Sequence, residues 1–277
     1  MKHFFTAFLA ALLFLAGCPD AFNAAIGAEF GSGMMEFGSW EQDGDAGNGP
    51  EPIEWLSVEN RDGATVLISA CTLDVRPFNA KAANVTWGTC SLRKWLNGEF
   101  FRNAFSEGEQ TSILAVSVPA DPNPQTNADP GKSTKDRVFI PSLDEVERWF
   151  GSDEERACPP SLAVVDKTPY IKDGLSPWWL RTPGKDNKNV ALVTQKGKAY
   201  AKGGPVHDKR APVRVCIVLG GDAGQQFSDG AQGAGGWDAM GGSGSIGFGG
   251  GQPARPKAPA APTKKPKYDK DGWEILE

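Results

Sequence analysis

Between residues 53 and 58 the chain alternates as Ile53-Glu54-Trp55-Leu56-Ser57-Val58, and a second apolar run, Ala64 to Ser69, follows across Asn60-Arg61-Asp62-Gly63. Successive strand side chains point to opposite faces, so the pair predicts a β-hairpin with one buried face. From Ser91 the period lengthens. Leu92, Trp95 and Leu96 fall one turn apart and predict a short helix closing at Gly98, and Phe100, Phe101, Ala104 and Phe105 carry the apolar face through another turn. Ser106 with Glu109, and Ser142 with Glu145, have the spacing of capping boxes, in which hydroxyl and carboxylate satisfy backbone N–H groups at a helix start. The second introduces a helical face of Leu143, Val146, Trp149 and Phe150 ending at Gly151. Extended segments are expected at Ala115 to Val118, Arg137 to Ile140, Val190 to Val193 and Pro212 to Leu219, with a hairpin turn at Gln195-Lys196-Gly197-Lys198 between the last two.

Pro177-Trp178-Trp179-Leu180-Arg181-Thr182-Pro183-Gly184 is a short extended stretch with large side chains on both faces, and Val213-Arg214-Val215 is expected to lie against it. Each indole can bury on the order of 150 to 250 Å² and still needs a partner for its N–H. The pattern therefore reads as core before it reads as a site. Arg93, Arg181 and Arg214 are charges embedded in apolar motifs. Stacking on aromatic rings or pairing with carboxylates would make them fix the fold.

The patterning also bounds the organisation. Residues 1–18 hold Lys2 and an apolar run from Phe4 to Ala16, the layout of a secretory signal. Residues 19–34 are small and weakly patterned, a tether, and residues 35–219 carry the globular pattern. Within that domain the proline-rich run from Pro119 to Lys135 is expected to be a surface loop. Residues 220–267 are Gly-rich and then Pro- and Lys-rich, a composition expected to be disordered. The tip, 268–277, gathers Tyr268, Trp273, Ile275 and Leu276, and reads equally as a docking peptide, a strand folding back, or a segment without order.

Of the 277 residues, 34 are Gly, 21 Pro and 9 Trp, and the net charge is -5, an acidic balance that argues against a nucleic-acid partner. Leu15-Ala16-Gly17-Cys18 looks like a bacterial lipobox, whose cysteine takes the lipid. That reading makes a lipoprotein held at the membrane through Cys18. The plainer alternative is a secreted protein cut a few residues later, for instance after Gly27. The four other cysteines, Cys71, Cys90, Cys158 and Cys216, could form disulfides in an exported chain, Cys71 with Cys90 and Cys158 with Cys216 by sequence proximity, or could be four buried thiols.

Phe37-Gly38-Ser39-Trp40, Pro52-Ile53-Glu54-Trp55-Leu56, Leu73-Asp74-Val75-Arg76-Pro77-Phe78-Asn79, Ser91-Leu92-Arg93-Lys94-Trp95-Leu96-Asn97, Val138-Phe139-Ile140-Pro141-Ser142, the Trp178-Trp179 stretch and Val213-Arg214-Val215, in this order, resemble the bacterial domain of unknown function 6273 over about residues 35–219. The closing arrangement is more distantly similar to the C-type lectin-like fold, which includes formylglycine-generating-enzyme domains. The resemblance implies an α+β, compact C-type lectin-like domain with short helices and small antiparallel sheets between disordered termini. It implies late strands in a small sheet, tryptophans in the core and arginines tying loops down. It implies no settled activity.

The chemistry-bearing residues are few. His207 follows Gly203-Gly204-Pro205 in a polar loop without a recognisable nucleophile motif. No Cys-x-x-Cys or His-x-x-x-His spacing suggests zinc, and the only late cysteine, Cys216, cannot supply the close pair a copper-thiol oxidase needs. Asp121-Pro122-Asn123 superficially matches a sugar-binding tripeptide but reads as a turn far from the late sheet. Asp186-Asn187-Lys188-Asn189 offers oxygen atoms, as turns also do. The expectation is an extracytoplasmic binding module of the bacterial cell envelope, without cofactor or metal, taking a glycan or protein of that envelope. Its candidate ligand loop holds Asp186, Asn187, Asn189 and His207, and its structural motif Trp95, Trp178, Trp179, Arg93, Arg181 and Arg214. An enzyme of unknown reaction and a structural envelope lipoprotein are the alternatives.

Overall fold

The computed structural model describes residues 34–61 and 63–220 and, further on, the backbone of two short strands. The signal segment, the lipobox with Cys18 and most of the C-terminal extension lie outside the described residues. The hairpin of the sequence pattern is present. β1 (Met34–Trp40), β2 (Glu51–Arg61) and β3 (Ala64–Ser69) pair antiparallel in succession. A register shift between Ser57 and Glu59 marks a bulge in β2. Trp55 is fully buried, and its indole N–H donates to the Phe37 carbonyl at 2.8 Å, whereas the indole N–H groups of Trp95 and Trp178 find no hydrogen-bond partner among the described residues, contrary to the expectation for the Trp178 stretch.

β4 (Asp74–Val75) leads to the helical region, where the sequence reading needs correction. α1 (Ser91–Trp95) does not close at Gly98. It runs into a π-helical segment, Leu96–Phe100, and on into α2 (Phe101–Ala104). The reason is packing. Leu92, Leu96, Phe100 and Ala104 recur every four residues and all are buried, so the apolar face carries the helix through the glycine. Asn97 donates to the carbonyls of Arg93 and Val138 across the π turn, tying it to the far edge of the sheet that β1 to β3 begin.

Both capping boxes form. Ser106 and Glu109 cap α3 (Glu107–Ser112), and Ser142 and Glu145 cap α4 (Leu143–Trp149). The proline-rich run is irregular for most of its length, but its far end joins a ladder, because β5 (Val116–Val118) pairs with β6 (Thr134–Asp136). β7 (Val138–Phe139), α5 (Asp153–Arg156) and α6 (Leu162–Val165) follow. β8 (Trp178–Pro183) is buried along all six residues, and it pairs with β9 (Asn189–Val193), which pairs with β10 (Ala199–Pro205).

The last expected strand is divided. β11 (Pro212–Val213) pairs with β4, whereas β12 (Cys216–Gly220) enters the first sheet to give the order β1-β2-β3-β12-β7. Arg214 sits at the division, 1 % exposed. Its guanidinium lies over the Trp178 ring at 5.2 Å and the Phe150 ring at 5.6 Å, and its Nε donates to the Ser69 carbonyl at 2.8 Å. Arg214 thus ties the Trp178 stretch to the first sheet by stacking. The domain mixes small antiparallel sheets with short helices, as expected of an α+β chain. In a separate unit, β13 (Lys267–Tyr268) pairs with β14 (Glu274–Ile275).

All four described cysteines are free thiols, so the expected pairing of Cys71 with Cys90 and Cys158 with Cys216 is not made. Nearness in sequence does not set the neighbours here, because the thiol close to Cys71 is Cys158 and not Cys90. Cys90 caps α1, accepting from Arg93 N, whereas Cys71 faces Gln42 and Cys158 faces the Ala70 carbonyl. Burial pushes the Cys90 thiol up to about 12 and the Cys158 thiol up to about 11. The other two are raised by the same cause.

Candidate functional site

The turn between β8 and β9 closes on itself. Gly184 N donates to the Asn189 carbonyl at 2.8 Å, while Asp186 Oδ1 accepts from Lys188 N at 2.9 Å and from Asn189 Nδ2 at 2.7 Å. Burial works against the Asp186 charge, but these bonds and the neighbouring Lys185 and Lys188 outweigh it and hold the carboxyl below the ordinary range. The oxygen atoms that the sequence offers to a ligand therefore shape the turn.

Asn187 reaches out of the turn. Its Oδ1 accepts from Asp129 N at 3.1 Å and its Nδ2 donates to the Asp129 carbonyl at 2.7 Å, and Val85 N donates to its backbone carbonyl at 2.9 Å. Two further side chains join the proline-rich loop to the late sheet. Thr126 donates to the Gly184 carbonyl at 2.9 Å. Buried Asn123 donates to the carbonyls of Pro183 and Ala201, both at 2.7 Å. Asp121-Pro122-Asn123 therefore does not lie far from the late sheet but is bonded to it. Beside it, Arg181 binds Asp121 at 3.0 Å and Glu145 through both guanidinium nitrogens. Arg93 binds Asp136, which also accepts from Trp87 and Thr134. Arg181 thus joins the proline-rich loop to the start of α4, and Arg93 joins α1 to β6.

The assembled face thus unites the 119–135 loop, the 184–189 turn and a third segment, 79–88, that the pattern of apolar positions did not single out. Gly131 packs so closely on Thr86 that a Cβ there would come within 2.7 Å of it. His207 stands at the edge of this face, exposed, because Val206 N donates to the Lys188 carbonyl and Asn79 N to the Val206 carbonyl. Its neighbour Asp208 is buried and accepts from the Tyr170 hydroxyl at 2.7 Å and from Arg210. Trp95 lies elsewhere, under the Arg76 guanidinium at 4.1 Å from its ring centre.

A second group of carboxylates lies outside this face. Carboxylate oxygens of Glu41, Asp43 and Glu51 lie within 4.8 Å of one another. They accept from nearby backbone N–H groups, Glu51 from Gln42, Glu41 from Gly44 and Asp43 from Asp45, which accounts for their convergence.

The model of a family described as a domain of unknown function (DUF6273) matches residues 62–221, which span β3 to β12 and every segment of the loop face. The chain belongs to that family. No curated protein and no solved structure matches the chain. The DUF6273 match begins inside the hairpin, so β1 and β2 lie ahead of the matched residues although they belong to the same five-stranded sheet.

Proposed function

We propose that this chain is an extracytoplasmic binding module of the bacterial envelope, anchored by lipid at Cys18, that takes a glycan or protein on the loop face without catalysing a reaction. One observation supports the reading above others. Loops about sixty residues apart are bonded to each other by Asn123, Thr126 and Asn187, so their exposed residues form one preorganised surface. Side chains held in place before binding lose less freedom on contact, which favours recognition. A C-type lectin-like domain is the fold this reading assigns, and the packing of Arg214 on Trp178 beside a small late sheet is in keeping with it.

The test is a glycan array together with a pull-down from envelope extract, using the chain from residue 19 onward. Binding that is lost when the 184–189 turn is replaced by a Gly-Ser turn supports the module. Absence of any ligand in both formats refutes it.

A further inference from the structure

The loop face is basic although the chain is acidic. Lys81, Lys132, Lys185, Lys188 and Lys202 are all exposed there. Backbone bonds bring four of them to one side of the domain, with Lys185 N donating to the Lys202 carbonyl at 2.9 Å, Val206 N to the Lys188 carbonyl at 2.9 Å and Asn79 N to the Val206 carbonyl at 2.7 Å, while the Asn79 side chain holds the Lys81 carbonyl at 2.8 Å. Lys132 follows Gly131, which rests on Thr86. The exposed acids on the same face, Asp129 and Asp186, already accept from Gly131 N and from Lys188 N and Asn189. Among the described residues no carboxylate forms an ion pair with any of the five lysines. The net charge of -5 therefore has its acidic excess in other segments, such as the 41–51 turns and the first turns of α4 and α5.

We propose that this face binds a linear anionic polysaccharide, one that carries carboxylate or phosphodiester charges at intervals. The inference rests on the binding-module reading above and names its ligand class. Lysine is a flexible point charge, and five of them spread over four segments do not converge on one atom as a bidentate arginine site for a single phosphate would. They match repeated charges instead, and a surface of one sign raises the local concentration of an oppositely charged polymer. A membrane fits less well. Among the described residues the exposed large apolar side chains are Leu114 and Leu162, and neither belongs to this face, so no apolar group is placed to enter the headgroup layer.

The experiment measures binding of the chain from residue 19 to the C-terminus, basic extension included, to polygalacturonate, to a neutral glucan of similar length and to phosphatidylglycerol vesicles. Three chains are compared: the unaltered one, Lys185→Ser with Lys188→Ser and Lys202→Ser, and Lys257→Ser with Lys264→Ser and Lys265→Ser in the extension. Polygalacturonate should bind the unaltered chain with affinity that falls as salt rises, and the loop variant about tenfold more weakly, since every 1.4 kcal/mol is tenfold. The extension variant should bind as the unaltered chain does. Thermal melting confirms that the loop variant folds, and Lys202→Ser alone serves should the triple variant not fold. Equal binding by the loop variant, loss in the extension variant only, or binding to vesicles but not to polygalacturonate overturns the proposal. Salt-insensitive binding of a neutral glycan or a protein at the loop face would remove this proposal while leaving the binding module intact.

Discussion

Asn187 and Asp129 lie 58 residues apart and exchange two hydrogen bonds, Asp129 N to Asn187 Oδ1 at 3.1 Å and Asn187 Nδ2 to the Asp129 carbonyl at 2.7 Å. A side-chain amide mimics a backbone strand partner here. It can do so because it presents a donor and an acceptor side by side. Aspartate cannot donate, so Asn187→Asp should leave the Asp129 carbonyl without its donor and release the middle loop from the turn. We expect a loss of about 1–2 kcal/mol and faster proteolytic cleavage within 119–135. Unchanged cleavage in a limited-proteolysis time course would show that Asn123 and Thr126 hold the loop without Asn187.

Arg181 is 4 % exposed and answers to two carboxylates, those of Asp121 and Glu145. Removing one partner of a buried pair leaves the remaining charges uncompensated, which costs about 3–5 kcal/mol. Arg181→Ala should therefore lower the Tm by roughly 6–20 °C for a domain of this size. Arg181→Lys should recover only part of the loss, because a single ammonium cannot form the fork to both Glu145 oxygens and also reach Asp121. A melting curve for Arg181→Ala that overlays the parent's would mean that the arginine is held for a ligand and not for the fold.

How far these features were legible depends on the distance over which each is determined. The capping boxes at Ser106 and Ser142 are decided within four residues, and both are present as read. Gly98 looks locally like a helix stop, but the buried series Leu92, Leu96, Phe100 and Ala104, whose partners come from other elements, carries the helix through it. The division of the last strand at Arg214 was hidden for a similar reason. Val213 and Cys216 are both apolar and extended, and only their different partners, Asp74 and Ile68, separate them. In the candidate site, Asp186, Asn187 and Asn189 were found as residues, but their bonds run within the turn or across 58 residues, and no local pattern reports the latter. The lysines are visible singly in the sequence; that they share a face follows from contacts between segments far apart in the chain.

Gly197 and Gly98 make a matched pair. Gly197 has φ +75°, and a Cβ on it would come within 1.5 Å of the Asp153 carbonyl oxygen, so both backbone conformation and space demand glycine at this hairpin turn. Nothing but the end of the Arg102 side chain, at 3.9 Å, lies near a Cβ on Gly98. Gly197→Ala should destabilise by about 1–3 kcal/mol, the range for a residue forced into a sparsely populated conformation. Gly98→Ala should be neutral or stabilise by up to about 1 kcal/mol, the helix preference of alanine over glycine. Urea titrations of the two variants measure the contrast, and equal midpoints would count against the packing of the 194–198 turn on α5.

The four thiols should be silent in the folded protein. Burial disfavours each thiolate, and the thiolate is the species that reacts. Iodoacetamide at pH 8 should add little to the folded chain from residue 19 onward, and should add four labels, at Cys71, Cys90, Cys158 and Cys216, once guanidinium unfolds it under non-reducing conditions. Intact-mass measurement reads both. Fewer than four labels after unfolding would mean that disulfides form after all.

Glu109 connects acid sensitivity to the start of the domain. Burial raises its pKa, but the bonds from the Ser106 hydroxyl, Ser106 N and Gly38 N prevail, and the carboxyl is held below its ordinary value. A depressed folded pKa means that the unfolded chain takes up the proton first as pH falls. The stabilisation from Glu109 is therefore complete above the ordinary glutamate range and disappears as pH falls through the lowered folded value. Glu109→Gln keeps the shape and removes the charge, so it should melt lower than the parent near neutral pH, by an amount that shrinks towards zero in strong acid. Because Gly38 belongs to β1, hydrogen exchange in β1 should quicken along with the loss. A difference in Tm that stays constant from neutral pH to below the glutamate range would show that the contribution comes from shape alone, with the ionised carboxylate playing no part.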